Sequence, residues 1–366
     1  MSQNIVVFFG GVSGENEISV ITGTLVCNVL KRKGVCVLPV YIDQSGKFIC
    51  GERLADLKNF AGGVAPAGED ILFARGGAYI LSKRGKIKKF VPVYCAFNCC
   101  HGGWGEGGGI SGLCAAAAIP LASPGIAESA VFMDKHLTKI VLRGLGVPVL
   151  DYVYLTDISE AAVVKNFPAV VKPANLGSSI GVAAVTDRQS LLSALQTAFS
   201  LDSAAVVEPY VSPRRELNCA VCSVGGNITA SPCEEVFGGT VYSYDQKYSG
   251  KAKRTFPADI PEQLSRRIRS LSVEVCACLG IRGIVRFDYI LGVDDGLYLS
   301  EVNTVPGSLA HYLIAKDFNA FADILTTLID DAVARSRAAA SKILVNTGII
   351  NNFASNACKT GEYIVK

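Results

Sequence analysis

The sequence predicts an α/β fold that turns to α+β in its C-terminal half. Three observations predict it. Short apolar strands alternate with amphipathic helices as far as Pro120. From Glu216 onward, strand-like segments follow one another with turn signals between them. Of 366 residues 50% are hydrophobic and only 18% charged, enough apolar material for two or three packed domains.

The elements follow in order. Residues 5–9 are an apolar strand that Gly10-Gly11 turns. Residues 15–32 carry Ile18, Ile21, Leu25 and Val29 at helical spacing. Residues 35–42 and 91–97 are further strands, and the latter runs into His101-Gly-Gly-Trp-Gly-Glu-Gly-Gly-Gly109. This rhythm predicts an open parallel sheet with helices on its faces and a site in the loops after the strand ends. Beyond Pro120, residues 129–144 read as one helix bearing Lys135 and Lys139. Strand 169–172 runs into the polar turn Pro173-Ala-Asn-Leu-Gly-Ser-Ser-Ile-Gly181, followed by helix 189–199 and strand 204–207. Segments 217–223, 228–232, 284–291 and 297–303 read as antiparallel strands, interrupted by helix 261–279. The polar loop 238–253 has the character of a lid, and 319–340 is a closing helix.

Composition excludes several functions. The net charge of +3 and the lack of a basic stripe argue against a nucleic-acid partner. No apolar run approaches the roughly 20 residues of a membrane span. The first residues, MSQNIVVFFGGVSG, lack the cationic start of a signal peptide, so a cytoplasmic protein is expected. Thirteen cysteines, an odd number, read as reduced, small buried hydrophobes. Cys219-Ala-Val-Cys222 and the Cys95, Cys99, Cys100, His101 group resemble ligand sets, but both sit in apolar strand patterns without a second well-spaced pair. No G-x-G-x-x-G, Walker A or G-x-S-x-G sequence is present, and three histidines leave little for a Ser-His-Asp hydrolase. His136 reads as structural or exposed.

Four constellations carry chemistry. A hairpin closed around Val293-Asp-Asp-Gly296 sets Asp288 nearly level with Glu301. Alternation then puts Arg286 and Asp288 on one face, with Glu301 and Asn303 beside them. Two carboxylates and an amide oxygen suit Mg²⁺ bridging phosphates, and the guanidinium suits a phosphoryl group or oxyanion. The plainer alternative is an Arg–carboxylate network that only holds the hairpin. Lys172, at a strand end, precedes a Gly-Ser-Ser-Ile-Gly nest suited to an anion, or an exposed turn. Glu208 and Glu216 flank a segment that could read an adenine edge and ribose, or serve as a linker. Lys247 stands beside Tyr248 on the expected lid, where it could close over phosphates or be a solvated charge.

Taken in order, these segments resemble the D-alanine–D-alanine ligases of the ATP-grasp superfamily. The resemblance runs from Gly10 to about Leu313. It is carried by Gly10-Gly-Val-Ser-Gly-Glu-Asn-Glu-Ile-Ser19, His101-Gly-Gly-Trp-Gly-Glu106, Met133-Asp-Lys135, Val171-Lys-Pro173, Gly177-Ser-Ser-Ile-Gly181, Lys247-Tyr248, Arg286-Phe-Asp288 and Glu301-Val-Asn-Thr-Val-Pro-Gly307. It implies an ATP-grasp fold, with two domains clamping ATP beside an N-terminal α/β substrate domain. The expected boundaries are 1–125, 126–211 and 212–345, with a tail at 346–366.

The resemblance also implies the chemistry. Two D-alanine molecules are joined for peptidoglycan precursor synthesis, through a D-alanyl phosphate made from ATP. Lys135, Lys172, Ser178 and Lys247 meet the phosphates. Glu208, Tyr210, Val211 and Glu216 surround adenine and ribose. Asp288, Glu301 and Asn303 hold two Mg²⁺ ions, with Mn²⁺ as a substitute. Arg286 stabilises the oxyanion. Glu15 takes the first substrate's ammonium, and His101 lies near its carboxyl end. Ser178 and Tyr248 link with Glu15 to orient the lid. Gly307, Ser308 and Tyr312 meet the second substrate. A cytoplasmic homodimer is implied.

The chain departs from the family pattern at Gly107, Ser111, Leu121 and Ser243, and has one extra residue between Glu208 and Glu216. Tyr312 stands where the family commonly has Ser. The alternatives are a ligase joining D-alanine to D-serine, D-lactate or another amino acid, and a non-catalytic nucleotide-binding relative.

Overall fold

The computed structural model describes residues 3–212, 214–237, 253–292, 296–341 and 347–350. Strand Asn4–Gly10 is its N-terminal centre, parallel to Val37–Ile42 on one side and to Ile87–Asn98 on the other. Ile5 to Phe9 are at most 2% exposed, because both faces of this strand are covered. Val6 and Phe8 pack with Val40, Ile42 and Ile71. Ile5, Val7 and Phe9 pack against Val26 and Leu30 of helix Asn16–Arg32 and against Phe321 and Leu325 of helix Phe318–Ala340. That last helix, within the expected C-terminal region, shares the N-terminal core.

The expected open parallel sheet is corrected here. Strands Phe48–Cys50, Glu69–Ala74 and Gly77–Leu81 join the set by antiparallel pairing, and the six strands close into a barrel. Tight turns are the cause. Asp43 Oδ1 accepts from the N–H groups of Ser45 (2.8 Å) and Lys47 (2.9 Å), and Gly46 follows at φ 86°. An Asx turn of this kind returns the chain directly, with no helical crossover to make the next strand parallel.

Two helices replace the expected single helix 129–144. Ile126–Met133 ends at Asp134, which is extended and accepts from the N–H groups of His136 and Leu137 to cap Lys135–Gly144. The glycine-rich segment after His101 winds at Gly105–Gly109 into helix Ile110–Ala116, with Gly108 at φ 103°.

A second sheet runs in the order Val153–Leu155, Ala205–Pro209, Ala169–Pro173, Ala183–Val185, antiparallel throughout. Helix Arg188–Leu201, started by a capping box at Asp187, packs Leu191 and Leu195 onto it. The third sheet is antiparallel as expected. Arg215–Val224 lies between Glu234–Phe237 and Gly283–Leu291, and Leu297–Asn303 follows outside the latter. Helix Glu262–Leu279 closes its core with Ile268, Val275 and Cys276. Among the described residues every cysteine is free, none of the groupings of His, Cys, Asp and Glu reaches three potential ligands for a metal, and no helix is long and apolar enough to cross a membrane.

Candidate active site

A cleft of about 400 Å³ opens where the three sheets meet. Its charged wall is the predicted hairpin. Asp288 pairs in register with Glu301 and Arg286 with Asn303, and a bulge follows Asp288. Arg286 grips Asp288 with two parallel bonds, Nε to Oδ1 at 2.6 Å and Nη2 to Oδ2 at 2.7 Å. Asn303 Nδ2 donates to Asp288 Oδ2 at 3.0 Å, which turns the amide Oδ1 away as an acceptor. Burial opposes the Arg286 charge, but Asp288 outweighs it and holds the guanidinium well above its usual range.

Cations face this wall. Lys135 is the first residue of its helix. Its Nζ donates to the Leu176 carbonyl at 2.5 Å and lies 3.7 Å from Glu301 Oε1. Lys172 reaches the cleft from strand Ala169–Pro173. Behind it sits a buried triad. Glu208 Oε2 is 2.7 Å from Lys172 Nζ, and Glu208 Oε1 is 2.7 Å from Lys139 Nζ. Glu208 and Lys139 are 3% and 2% exposed, so neither charge has water to lean on. Burial works to raise the Glu208 pKa, but the two lysines outweigh it and pull it down to about 2. Burial likewise works against the Lys172 charge, and Glu208 and Glu301 outweigh it.

The structure thus places Glu208 behind Lys172, with its carboxylate given to two lysines. Tyr210 and Val211 follow the strand end, half-buried, and do not line the cleft. Glu216 does line it, paired with Arg214 at 2.7 Å.

The N-terminal loops supply the opposite wall. Ser13 Oγ donates to the His101 carbonyl at 2.6 Å and accepts the Glu15 N–H at 2.9 Å. Ser19 Oγ accepts the Gly10 N–H at 2.7 Å and donates to the Cys99 carbonyl at 2.6 Å. These two hydroxyls staple one glycine-rich loop to the other. Glu15 is 8% exposed, and Ser178 donates a hydrogen bond to it. Close approach explains two glycines. A Cβ on Gly102 or on Gly177 would lie 2.5 Å from Glu15 Oε2.

His101 is buried, and its ring faces Thr22. Burial, helped by the Arg286 charge, lowers its pKa to about 3, so the ring is neutral. Gly307, Ser308 and Tyr312 line the same cleft, and the Arg254 guanidinium lies 5.6 Å above the Tyr312 ring. Lys247 and Tyr248 lie outside the described residues, as does the rest of the expected lid from 238 to 252.

The sequence reading missed Glu106 as a linker. Its Oε2 accepts the Gly102 N–H at 2.7 Å and its Oε1 accepts the Val305 N–H at 3.2 Å. Glu106 therefore ties the N-terminal loop to the segment after Asn303. Burial and the Glu15 charge raise its pKa to about 7 against those N–H donors. The only signal in the sequence was an acid inside a glycine run. Thr22 gave none, because it acts through partners far away in the chain.

Comparison with known proteins agrees with this geometry. Residues 4–124 match the family model described as D-ala D-ala ligase N-terminus, and residues 141–332 the one described as D-ala D-ala ligase C-terminus. The chain is 34% identical over 356 residues to a D-alanine–D-alanine ligase of Thermosipho africanus, covering 93% of this chain and 96% of that one. It is 33% identical over 327 residues to the enzyme of that name from Campylobacter lari, covering 88% and 92%. The crystal structure of D-alanine–D-alanine ligase from Helicobacter pylori superposes with a TM-score of 0.74 at 28% identity, over 90% of this chain and 98% of that one. VanG D-Ala:D-Ser ligase from Enterococcus faecalis gives 0.77 at 25%, over 90% and 100%. Both halves of the chain match in the family's order, and the chain belongs to the D-alanine–D-alanine ligase family.

Proposed function

We propose that this protein joins two D-alanine molecules at the expense of ATP, for peptidoglycan precursor synthesis. The observation that carries this reading is one cleft holding an ammonium-binding acid, Glu15, opposite the Arg286–Asp288–Glu301–Asn303 wall and two lysines. The first D-alanine is seated with its ammonium at Glu15 and its carboxyl end near His101. Its carboxylate oxygen attacks the γ-phosphorus of ATP, and ADP leaves. Lys135 and Lys172 neutralise the phosphate oxygens, while Glu216 holds the ribose. Glu208 keeps Lys172 charged and aimed. The resulting D-alanyl phosphate is attacked at its acyl carbon by the amine of the second D-alanine, held at Gly307, Ser308 and Tyr312. The amine gives up a proton, and phosphate leaves with the acyl C–O electron pair. Arg286 stabilises the oxyanion between those events. The protein's part is positioning and charge stabilisation.

The donor set fits a hard cation. Asp288, Glu301 and the Asn303 Oδ1 offer oxygen only, with no sulfur or imidazole in the set. These three residues would hold the magnesium, which when bound would neutralise phosphate charge. Homodimer formation and a cytoplasmic location complete the reading.

The test is phosphate release from ATP and Mg²⁺ with D-alanine alone, and with D-alanine plus D-serine, D-lactate or L-alanine, products identified by mass. D-alanyl-D-alanine from D-alanine alone is expected. A mixed product alone assigns a ligase with a different second substrate and makes Tyr312 part of its pocket. No turnover in any mixture overturns the reading.

A further inference from the structure

We propose that Thr22 is a positioning residue that fixes the ring tautomer of His101 and, through the same oxygen, anchors the turn that bears Ser308. Thr22 lies in helix Asn16–Arg32 and is 0% exposed. Its Oγ1 is 2.9 Å from the Ser308 backbone N and 2.9 Å from His101 Nε2.

A hydroxyl has one proton and two acceptor lone pairs. The Ser308 N–H donates into one of the lone pairs. The Thr22 proton therefore needs an acceptor. Thr24, two residues on, returns its proton to the Val20 carbonyl at 2.8 Å, the usual habit of a helical threonine. Thr22 makes no such bond; among the described residues its remaining partner is His101 Nε2. A buried hydroxyl proton without an acceptor is costly, so Nε2 accepts it. The neutral ring then carries its proton on Nδ1. No described residue takes that Nδ1 hydrogen, and the ring lines the cleft. Thr22 thus turns His101 into an N–H donor toward the ligand.

The second half concerns the turn. Ser308, Leu309 and Ala310 hold φ of 52°, 48° and 47°, three successive left-handed residues that are not glycine. Such a run is costly for residues with a Cβ and needs outside anchors. The Thr22 oxygen is one, and it places the two substrate-facing segments in fixed relation.

The donor role rests on the proposed function; the tautomer does not. The chain has three histidines, so ring nitrogens are resolved by ¹⁵N long-range spectra of the uniformly labelled, ligand-free protein, with His101 assigned by its loss in H101Q. The wild-type His101 ring is expected as the Nδ1–H form. Thr22→Val should move it toward the Nε2–H form and raise the apparent KM for D-alanine roughly tenfold, and Thr22→Ser should restore both. A loss of packing alone would move KM and leave the ring pattern as it is. A wild-type Nε2–H ring, or an unchanged ring in T22V, overturns the proposal. A switched ring with unchanged KM overturns its substrate half and leaves the tautomer assignment standing. If the wild type makes no dipeptide at all, the proposed function fails while the ring spectrum still decides the tautomer.

Discussion

Replacing Glu208 by Gln should be the isosteric change around the cleft that costs the most stability. The triad holds two ammonium groups and one carboxylate, and the Glu208–Lys139 side of it is almost fully buried. Removing the carboxylate leaves two cations facing one amide. Breaking a buried pair from one side costs about 3–5 kcal/mol. The depressed pKa gives a similar figure. A carboxyl drawn from 4.5 down to about 2 corresponds to about 3 kcal/mol of folded-state preference for the charged form. The sign follows from that depression. The contribution is present above pH 4.5 and is lost as pH falls through about 2. Urea unfolding at pH 7 should therefore show E208Q about 3 kcal/mol less stable, with the gap to wild type closing as pH falls from 4.5 toward 2. Lys139→Met is the control. It leaves Glu208 paired with Lys172 and removes a cation whose pKa burial already lowers, so it should cost less than E208Q. E208Q should also raise the KM for ATP about tenfold or more, because Lys172 loses its counter-ion. A stability within about 1 kcal/mol of wild type, together with an unchanged KM for ATP, would refute the charge argument.

Further predictions concern the rest of the cleft. Glu301→Gln should lower kcat by more than about 100-fold without changing the circular dichroism spectrum, and near-wild-type turnover would remove it from the metal set. Gly177→Ala drives a methyl group to 2.5 Å from Glu15 Oε2; kcat/KM for D-alanine should fall roughly 100-fold while KM for ATP moves little. Glu106 has its pKa raised from 4.5 to about 7, so its protonated form is favoured in the folded state; its contribution is full below pH 4.5 and is lost as pH rises through about 7. The Tm of the wild type should thus fall between pH 5 and 8 by more than that of E106Q, and parallel pH profiles would show that Glu106 does not titrate there.

The sequence determined what alternation and spacing can carry. Period-two alternation on two adjacent strands was enough to set Asp288 against Glu301 and Arg286 beside them, since a hairpin leaves the register little freedom. The apolar run at residues 5–9 announced a strand covered on both faces, and the ordered motifs announced the family. Directions and distant partners were decided elsewhere. The strands between residues 48 and 81 close the N-terminal barrel because local turns return the chain, a choice that apolar periodicity does not encode. The break at Asp134 was hidden because its capping bonds run to backbone N–H groups, which leave no mark on side-chain spacing. The partners of Glu208 were likewise decided by packing, which brought Lys139 and Lys172 to its two oxygens. Thr22 carried no readable signal, and Glu106 only that of an acid inside a glycine run. Each acts by a hydrogen bond across a large span of chain, and which hydroxyl or carboxylate meets which loop is fixed only when the sheets pack around the cleft.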